Sequence, residues 1–116
     1  MDIRYLYRGV RIDDRTKGYI TKRLEILERI LKDILYVAVE IDRDKKGMFR
    51  IEVMVKTPHK LYRAEETSQS IEGSVDIVEN ELKEQVRRDT ERTRSLRKRG
   101  AQSLKKKIVL DENARF

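Results

Sequence analysis

The chain has 116 residues, 38% of them hydrophobic and 42% charged, so it can bury only one small core and must solvate much of its charge. It has no cysteine, which excludes disulfides, a thiolate nucleophile and cysteine-ligated metal. No apolar run approaches the roughly 20 residues of a membrane span, and the N-terminus lacks the apolar core of a signal peptide, so we expect a cytoplasmic protein.

The first predicted elements are a strand and a helix. Residues 2–12 alternate loosely between apolar and polar, and Gly9 interrupts them, which is typical of a strand with a bulge. Asp13 or Asp14 is a good N-cap for a helix from residue 15 to about residue 32. The apolar face of that helix consists of Ile20, Leu24, Leu27, Leu31 and Ile34.

Three strands and a second helix follow. Residues 34–41, 48–56 and 61–64 are rich in β-branched or alternating residues and are joined by short polar turns, which predicts an antiparallel meander. Ser70 can cap the next helix, and Gly100 is its expected end. Its apolar stripe, which must rest on a platform, consists of Ile71, Val75, Val78, Leu82 and Val86.

The element order β-α-β-β-β-α predicts an α+β fold. A four-stranded sheet would carry both helices on one face and leave the other face in water, an arrangement similar to a double-stranded-RNA-binding domain. We expect a domain over residues 1–99 and a basic, flexible tail over residues 100–116. Residues 108–110, Ile-Val-Leu, form a lone apolar patch that is either a short docking strand or unstructured.

Positive charge is concentrated in one segment. Residues 1–86 contain 17 Lys and Arg against 17 Asp and Glu, whereas residues 87–107 contain 10 against 2. Such a segment is either a solvated tail or an arm that binds a polyanion by releasing counterions from phosphates. Since it has no bulky apolar face to insert among lipid headgroups, nucleic acid is favoured over a membrane.

The residue types needed for catalysis are missing from the pattern. His59 is the only histidine and lies in a turn, and without cysteine it provides no usual zinc set. Glu65 and Glu66 are adjacent, so on a strand they would point to opposite faces and form no facing acid pair. We therefore predict a protein that is not an enzyme, with no cofactor, metal or small-molecule substrate.

Two stretches resemble a known family. RAEE at residues 63–66, followed by SIEGSVD at residues 70–76, is similar to the strand-to-helix junction of the ribosome hibernation-promoting factors, also called ribosome-associated inhibitor or sigma-54 modulation proteins. VRID at residues 10–13 and YITKRLEILE at residues 19–28 resemble the family's first helix. The resemblance covers residues 2 to about 99 and agrees with the predicted element order.

The resemblance implies a factor that binds the small ribosomal subunit and its rRNA at the messenger and transfer RNA channel, inhibits translation and preserves idle ribosomes. This requires a rigid wedge whose cations face phosphates. Helix faces and matches to basic family positions give the candidate RNA-binding residues as Lys22, Arg23, Arg29, Lys83, Arg87, Arg88, Arg94 and Lys98.

The chain also departs from the family pattern. Ser70 replaces Asp and still caps, whereas Glu72 replaces Tyr. Glu81 and Glu84 replace Lys and Arg, which weakens the basic patch on the helix. Long members add a C-terminal dimerisation domain. Residues 107–116 faintly resemble the start of that domain, so the chain is either a short form or part of a long one.

Two other functions fit the same residues. One is a stand-alone double-stranded RNA-binding module, because the chain contains an α-β-β-β-α order. The other is a protein-interaction module that uses the exposed sheet face and residues 108–110 of the tail to pair with a copy of itself or with a regulator.

Overall fold

The computed structural model describes the backbone of residues 1–110 and the side chains of residues 1–100. Its elements are β1 (Ile3–Arg8), α1 (Asp14–Leu24), α2 (Ile26–Ile30), β2 (Tyr36–Arg43), β3 (Phe49–Lys56), β4 (Leu61–Ser68) and α3 (Ile71–Leu110). The strands form one sheet in the order β1-β2-β3-β4, with β1 parallel to β2 and the other pairs antiparallel. The predicted α+β fold class is confirmed. The chain divides into two units, one comprising Met1–Val86 and a second beginning at Arg87.

The core lies between one face of the sheet and the three helices. In the middle of the sheet Val39 is paired with Val53, and Val53 with Ala64, so alternate residues of β2, β3 and β4 line this face. The helices contribute apolar side chains at three- and four-residue spacing, with one buried set shared by α1 and α2 and a second on α3. The buried helical residues are Ile20, Leu24, Leu27, Val75, Val78, Leu82 and Val86.

Hydrogen bonds at its first turn fix α3 to the sheet. The Ser70 hydroxyl accepts the N–H of Gly73 at 3.0 Å, which confirms the predicted N-cap. The fully buried Ser74 donates its hydroxyl to the Phe49 carbonyl of β3 at 2.9 Å. A Cβ atom at Gly73 would lie 2.9 Å from the Ser70 hydroxyl oxygen, so a larger residue here would displace the hydroxyl that caps α3.

The first half differs from the prediction at β1, in the first helix and at β2, which spans Tyr36–Arg43 and not residues 34–41. β1 ends at Arg8, because Gly9 adopts a φ of +65° and turns the chain away, and Val10 and Ile12 pack against the core outside the sheet. Asp13 caps α1 by accepting the Thr16 N–H at 2.8 Å.

The predicted single helix is divided at Glu25. Its N–H is shared between the carbonyls of Thr21 at 3.1 Å and Lys22 at 3.3 Å, which marks a tightened turn. The second piece, α2, ends at Ile30 because Leu31 is extended.

Two boundaries of the second half also differ. β4 continues to Ser68, four residues beyond the predicted end, because its pairing with β3 persists to Phe49. α3 passes through Gly100 and reaches Leu110, since a single glycine weakens a helix by about 1 kcal/mol without stopping it. Residues 108–110 are therefore helical, and the short strand is wrong. Residues 111–116 of the expected tail lie outside the described part.

Side chains of the RAEE stretch, residues 63–66, alternate between the two faces of the sheet. Arg63 and Glu65 lie on the sheet face opposite the helices, where Arg63 Nε donates to Glu52 at 2.8 Å. Ala64 is buried in the core. Glu66 hydrogen-bonds the carboxyl of Glu81 on α3, and this bond, together with burial and repulsion between the two groups, raises the pKa of Glu81 to about 7.

The buried stripe of α3 predicts a stability effect. Leu82 is 0% exposed, so Leu82→Ala should lower the free energy of unfolding by roughly 2–5 kcal/mol through lost burial and a residual cavity. Leu96, on the same helix but 57% exposed, provides the control, and Leu96→Ala should leave the free energy of unfolding nearly unchanged. Chemical denaturation measures both, and equal midpoints for the two variants would show that α3 is not held by this stripe.

The Glu66–Glu81 pair predicts a pH effect. Because the pKa of Glu81 is raised from 4.5 to about 7 in the folded protein, its contribution to stability is full below pH 4.5 and is lost as the pH rises through about 7. Glu81→Gln keeps the shape without the charge, so its melting temperature should exceed that of the wild type at about pH 8 and approach it at about pH 5. If the difference in melting temperature between Glu81→Gln and the wild type is the same at about pH 5 and about pH 8, the raised pKa of Glu81 is contradicted.

Candidate RNA interface

A groove of about 500 Å³ lies between the first two helices and α3, within residues 1–86. It contains the four candidate residues of this unit: Lys22, Arg23, Arg29 and Lys83. Helical spacing explains why Lys22 and Arg29 share it, since α1 and α2 follow one another closely and present positions seven apart on one side. The remaining lining residues are Tyr19, Glu25, Ile26 and Glu79.

Arg23 is held by α3. Its guanidinium lies 2.9 Å from the Asp76 carboxylate and 3.4 Å from that of Glu79, and its Nε donates to the Tyr19 hydroxyl at 3.2 Å. Tyr19 in turn donates to Asp76 at 2.7 Å. The Tyr19 hydrogen bond, followed by the two carboxylates, raises the pKa of Arg23. Arg23 therefore fastens α1 to α3, and its charge is largely compensated.

Lys22 and Arg29 differ from Arg23 in having no compensating carboxylate. Both are exposed on the groove rim, and within the described residues neither has a carboxylate at ion-pair distance. Lys83, by contrast, lies 3.6 Å from Glu79, which is 8% exposed. The groove thus offers Lys22 and Arg29 for binding an anion, whereas Arg23 and Lys83 are already paired with carboxylates. Glu25, which also lines the groove, repels an anion.

The other four candidates lie in the second unit. Arg87, Arg88, Arg94 and Lys98 are all exposed on the part of α3 that begins at Arg87. Arg87 forms an ion pair with Glu91 at 2.8 Å. Arg94 and Lys98 have no such partner among the described residues. Arg97 and Arg99 are also exposed on this segment. They were not among the predicted residues, because those were chosen by their position on one helix face, although the run of cations in the sequence contains both.

The open face of the sheet carries a network of opposite charges. Arg50 binds Asp42 at 2.9 Å, Glu65 at 2.8 Å and Glu52 at 3.3 Å. Glu52, beneath Arg50 and Arg63, is only 6% exposed, so the expected wet face is partly covered by ion pairs. The hydrogen bond from Arg50 lowers the pKa of Glu65, so the Glu65 carboxylate stays ionised and disfavours phosphate on this face.

Sequence patterns did not reveal Asp76, Glu79 and Tyr19 as partners of Arg23. Tyr19 and Ile26 pack partly against the core and also line the groove. The available signal is the spacing of Asp76, Glu79 and Lys83 at three and four residues, which puts them on one side of α3.

Within the described residues, no cluster of three or more histidine, cysteine or acidic side chains is arranged to hold a metal ion. In the same part of the chain, no helix has the length and apolarity needed to cross a bilayer.

Comparisons with known proteins place this arrangement in context. The chain is 29% identical to ribosome hibernation promotion factors of Lactococcus lactis, over 92 residues, and Staphylococcus aureus, over 96 residues. These matches cover 74% and 80% of this chain but only 49% and 50% of the relatives, so the chain spans about half their length.

Solved structures show the same fold. The N-terminal domain of Protein Y from Thermus thermophilus matches with a TM-score of 0.69 and 29% identity, over 76% of this chain and 98% of that one. A ribosomal subunit interface protein from Coxiella burnetii gives a TM-score of 0.70 over 78% and 98% of the two chains, and at 20% identity it supports the fold alone.

The model of one family matches residues 3–94, which include every element from β1 to the unit boundary in α3. By that match, the chain belongs to the sigma 54 modulation protein / S30EA ribosomal protein family.

Proposed function

We propose that the protein is a ribosome hibernation factor that binds the small ribosomal subunit at the messenger and transfer RNA channel. The groove between α1–α2 and α3 carries the proposal, because it gathers four basic side chains of which Lys22 and Arg29 have no carboxylate partner among the described residues. Two relatives that match over most of this chain are named ribosome hibernation promotion factors, which supports the same function.

Binding alone accounts for inhibition in this proposal. A folded body that fills the path of messenger and transfer RNA prevents initiation without any bond being made or broken. Lys22 and Arg29 bind rRNA phosphates, and such contacts position a protein without reading base sequence. Arg23 acts as a positioning residue, since its ion pairs with Asp76 and Glu79 keep the two walls of the groove together.

A charge-matched pair of variants tests the groove. Lys22→Gln with Arg29→Gln removes the two available cations, and Lys45→Gln with Lys46→Gln removes two exposed cations from the turn between β2 and β3. The first variant should lose affinity for isolated small subunits, and the slope of log affinity against log salt should fall in magnitude by about two. Cosedimentation at several salt concentrations measures both quantities, and the control should match the wild type.

Two outcomes contradict the proposal. If the groove variant sediments with small subunits as well as the control does, phosphate contacts at the groove are wrong. If wild-type binding is independent of salt, docking is through protein contacts instead. Thermal melts of all three proteins should coincide, because Lys22, Arg29, Lys45 and Lys46 are exposed.

A further inference from the structure

The two edges of the sheet differ in how they are covered. β4 forms one edge, where the Gln85 side chain of α3 donates to the Arg63 carbonyl at 2.7 Å. β1 forms the other edge. The Asp2 carbonyl, just before β1, accepts the Val37 N–H of β2 at 3.3 Å. Because backbone groups alternate along a strand, the even-numbered residues of β1 face β2, and the odd-numbered residues turn their N–H and C=O groups away from the sheet.

The outward backbone groups of β1 have no hydrogen-bond partner within the described part of the chain. They belong to Ile3, Tyr5 and Tyr7. The rings of Tyr5 and Tyr7 stack along the strand with their centroids 6.0 Å apart, and the side chains of Leu6 and Tyr7 are exposed. An edge strand with unpaired backbone groups and exposed apolar side chains is a template for the addition of another strand.

The charges of β1 restrict how a second copy of the chain pairs with it. Antiparallel hydrogen-bonded pairs form only between residues whose backbone groups face outward in both copies, so odd-numbered residues must lie opposite odd-numbered ones. Of the registers that overlap most of the strand, one centred on Leu6 puts Arg4 of each copy opposite Arg8 of the other. Another, centred on Arg4, puts the two Arg4 side chains together. Like charges directly opposite one another destabilise a sheet.

The register centred on Tyr5 avoids these repulsions and pairs opposite charges. Arg4 then lies opposite the uncharged Leu6 of the second copy. Arg8 lies opposite Asp2, which is exposed and has no ion-pair partner among the described residues. Although Arg8 already has one ion pair on β2, its side chain is 64% exposed, so a second carboxylate can reach it.

We propose that the β1 edge binds the same edge of a second copy of this chain, in the antiparallel register centred on Tyr5, and joins the two sheets into one continuous sheet. Two-fold symmetry duplicates each contact, because every residue pair occurs once in each direction. The strand is only six residues long, so the interface is small and the dimer forms reversibly as the protein concentration rises. No β1 residue lines the groove that contains Lys22 and Arg29, so this pairing is separate from the proposed function.

Charge changes at Leu6, which is 50% exposed, test the register in the nuclease-treated full chain. Because Leu6 lies opposite Arg4 of the second copy twice in the dimer, Leu6→Glu should lower the dimer dissociation constant and Leu6→Lys should raise it, each by roughly 2- to 30-fold. Sedimentation equilibrium over a range of protein concentrations measures the constant. Within one chain Leu6 is paired with Glu40 of β2, so the two changes should affect folding stability in the opposite sense and cannot mimic this result.

The other edge of the sheet provides the matched control. Leu61, 45% exposed at the start of β4, accepts the same two changes, and Leu61→Glu and Leu61→Lys should leave the dissociation constant unchanged. Amide hydrogen exchange of the wild type then locates the contact without any substitution. The amides of Ile3, Tyr5 and Tyr7 should exchange more slowly as the protein concentration rises, whereas those of β4 should not.

Each of three results would overturn the inference. A wild-type chain that stays monomeric into the millimolar range excludes a second copy and leaves only a strand of another protein as an occupant of the edge. A shift of the same sign for both Leu6 variants indicates a different register, such as the one in which Leu6 lies opposite itself. Equal effects of the Leu61 variants place the contact elsewhere. None of these results bears on whether small-subunit binding requires Lys22 and Arg29.

Discussion

Four apolar side chains of α3 hold that helix against the sheet, and the geometry of residues 1–86 depends on this contact. They are Val75, Val78, Leu82 and Val86, none more than 4% exposed. Asp76 and Glu79 lie between them in sequence and point toward α1, so they reach Arg23 only because the stripe is docked. Docking of the apolar stripe therefore positions the walls of the groove. The ion pairs of Arg23 with Asp76 and Glu79, which depend on that docking, reduce the positive charge of the groove.

Much of the fold follows from periodicity and local chemistry. The stripe around Leu82 repeats at helical spacing, and Ser70 is a capping residue in the expected place, so both were predictable from the sequence. Boundaries were less predictable, because they depend on backbone angles and tertiary pairing. A glycine such as Gly9 can either end a strand or form a bulge within it. Its positive φ, which ends β1 here, is not given by the sequence.

The electrostatic part of the site was harder to predict, because ion pairing depends on which residues meet across elements. Counting basic positions makes Arg23 and Lys22 equivalent, yet Arg23 faces Asp76 and Glu79 whereas Lys22 has no carboxylate partner among the described residues. Glu52 likewise looks like an outward strand residue but is buried beneath Arg50 and Arg63. Distances between side chains, which a single sequence does not give, separate structural cations from available ones.

The most direct test is a cryo-electron microscopy map of this chain bound to the small ribosomal subunit. The account predicts that the side chains of Lys22 and Arg29 lie about 2.7–2.9 Å from rRNA phosphate oxygens, the range of charge-assisted hydrogen bonds. It also predicts that Arg23 keeps its contacts with Asp76 and Glu79 in the complex. A map in which the open sheet face around Arg50 lies against rRNA, with the groove turned to solvent, would contradict it.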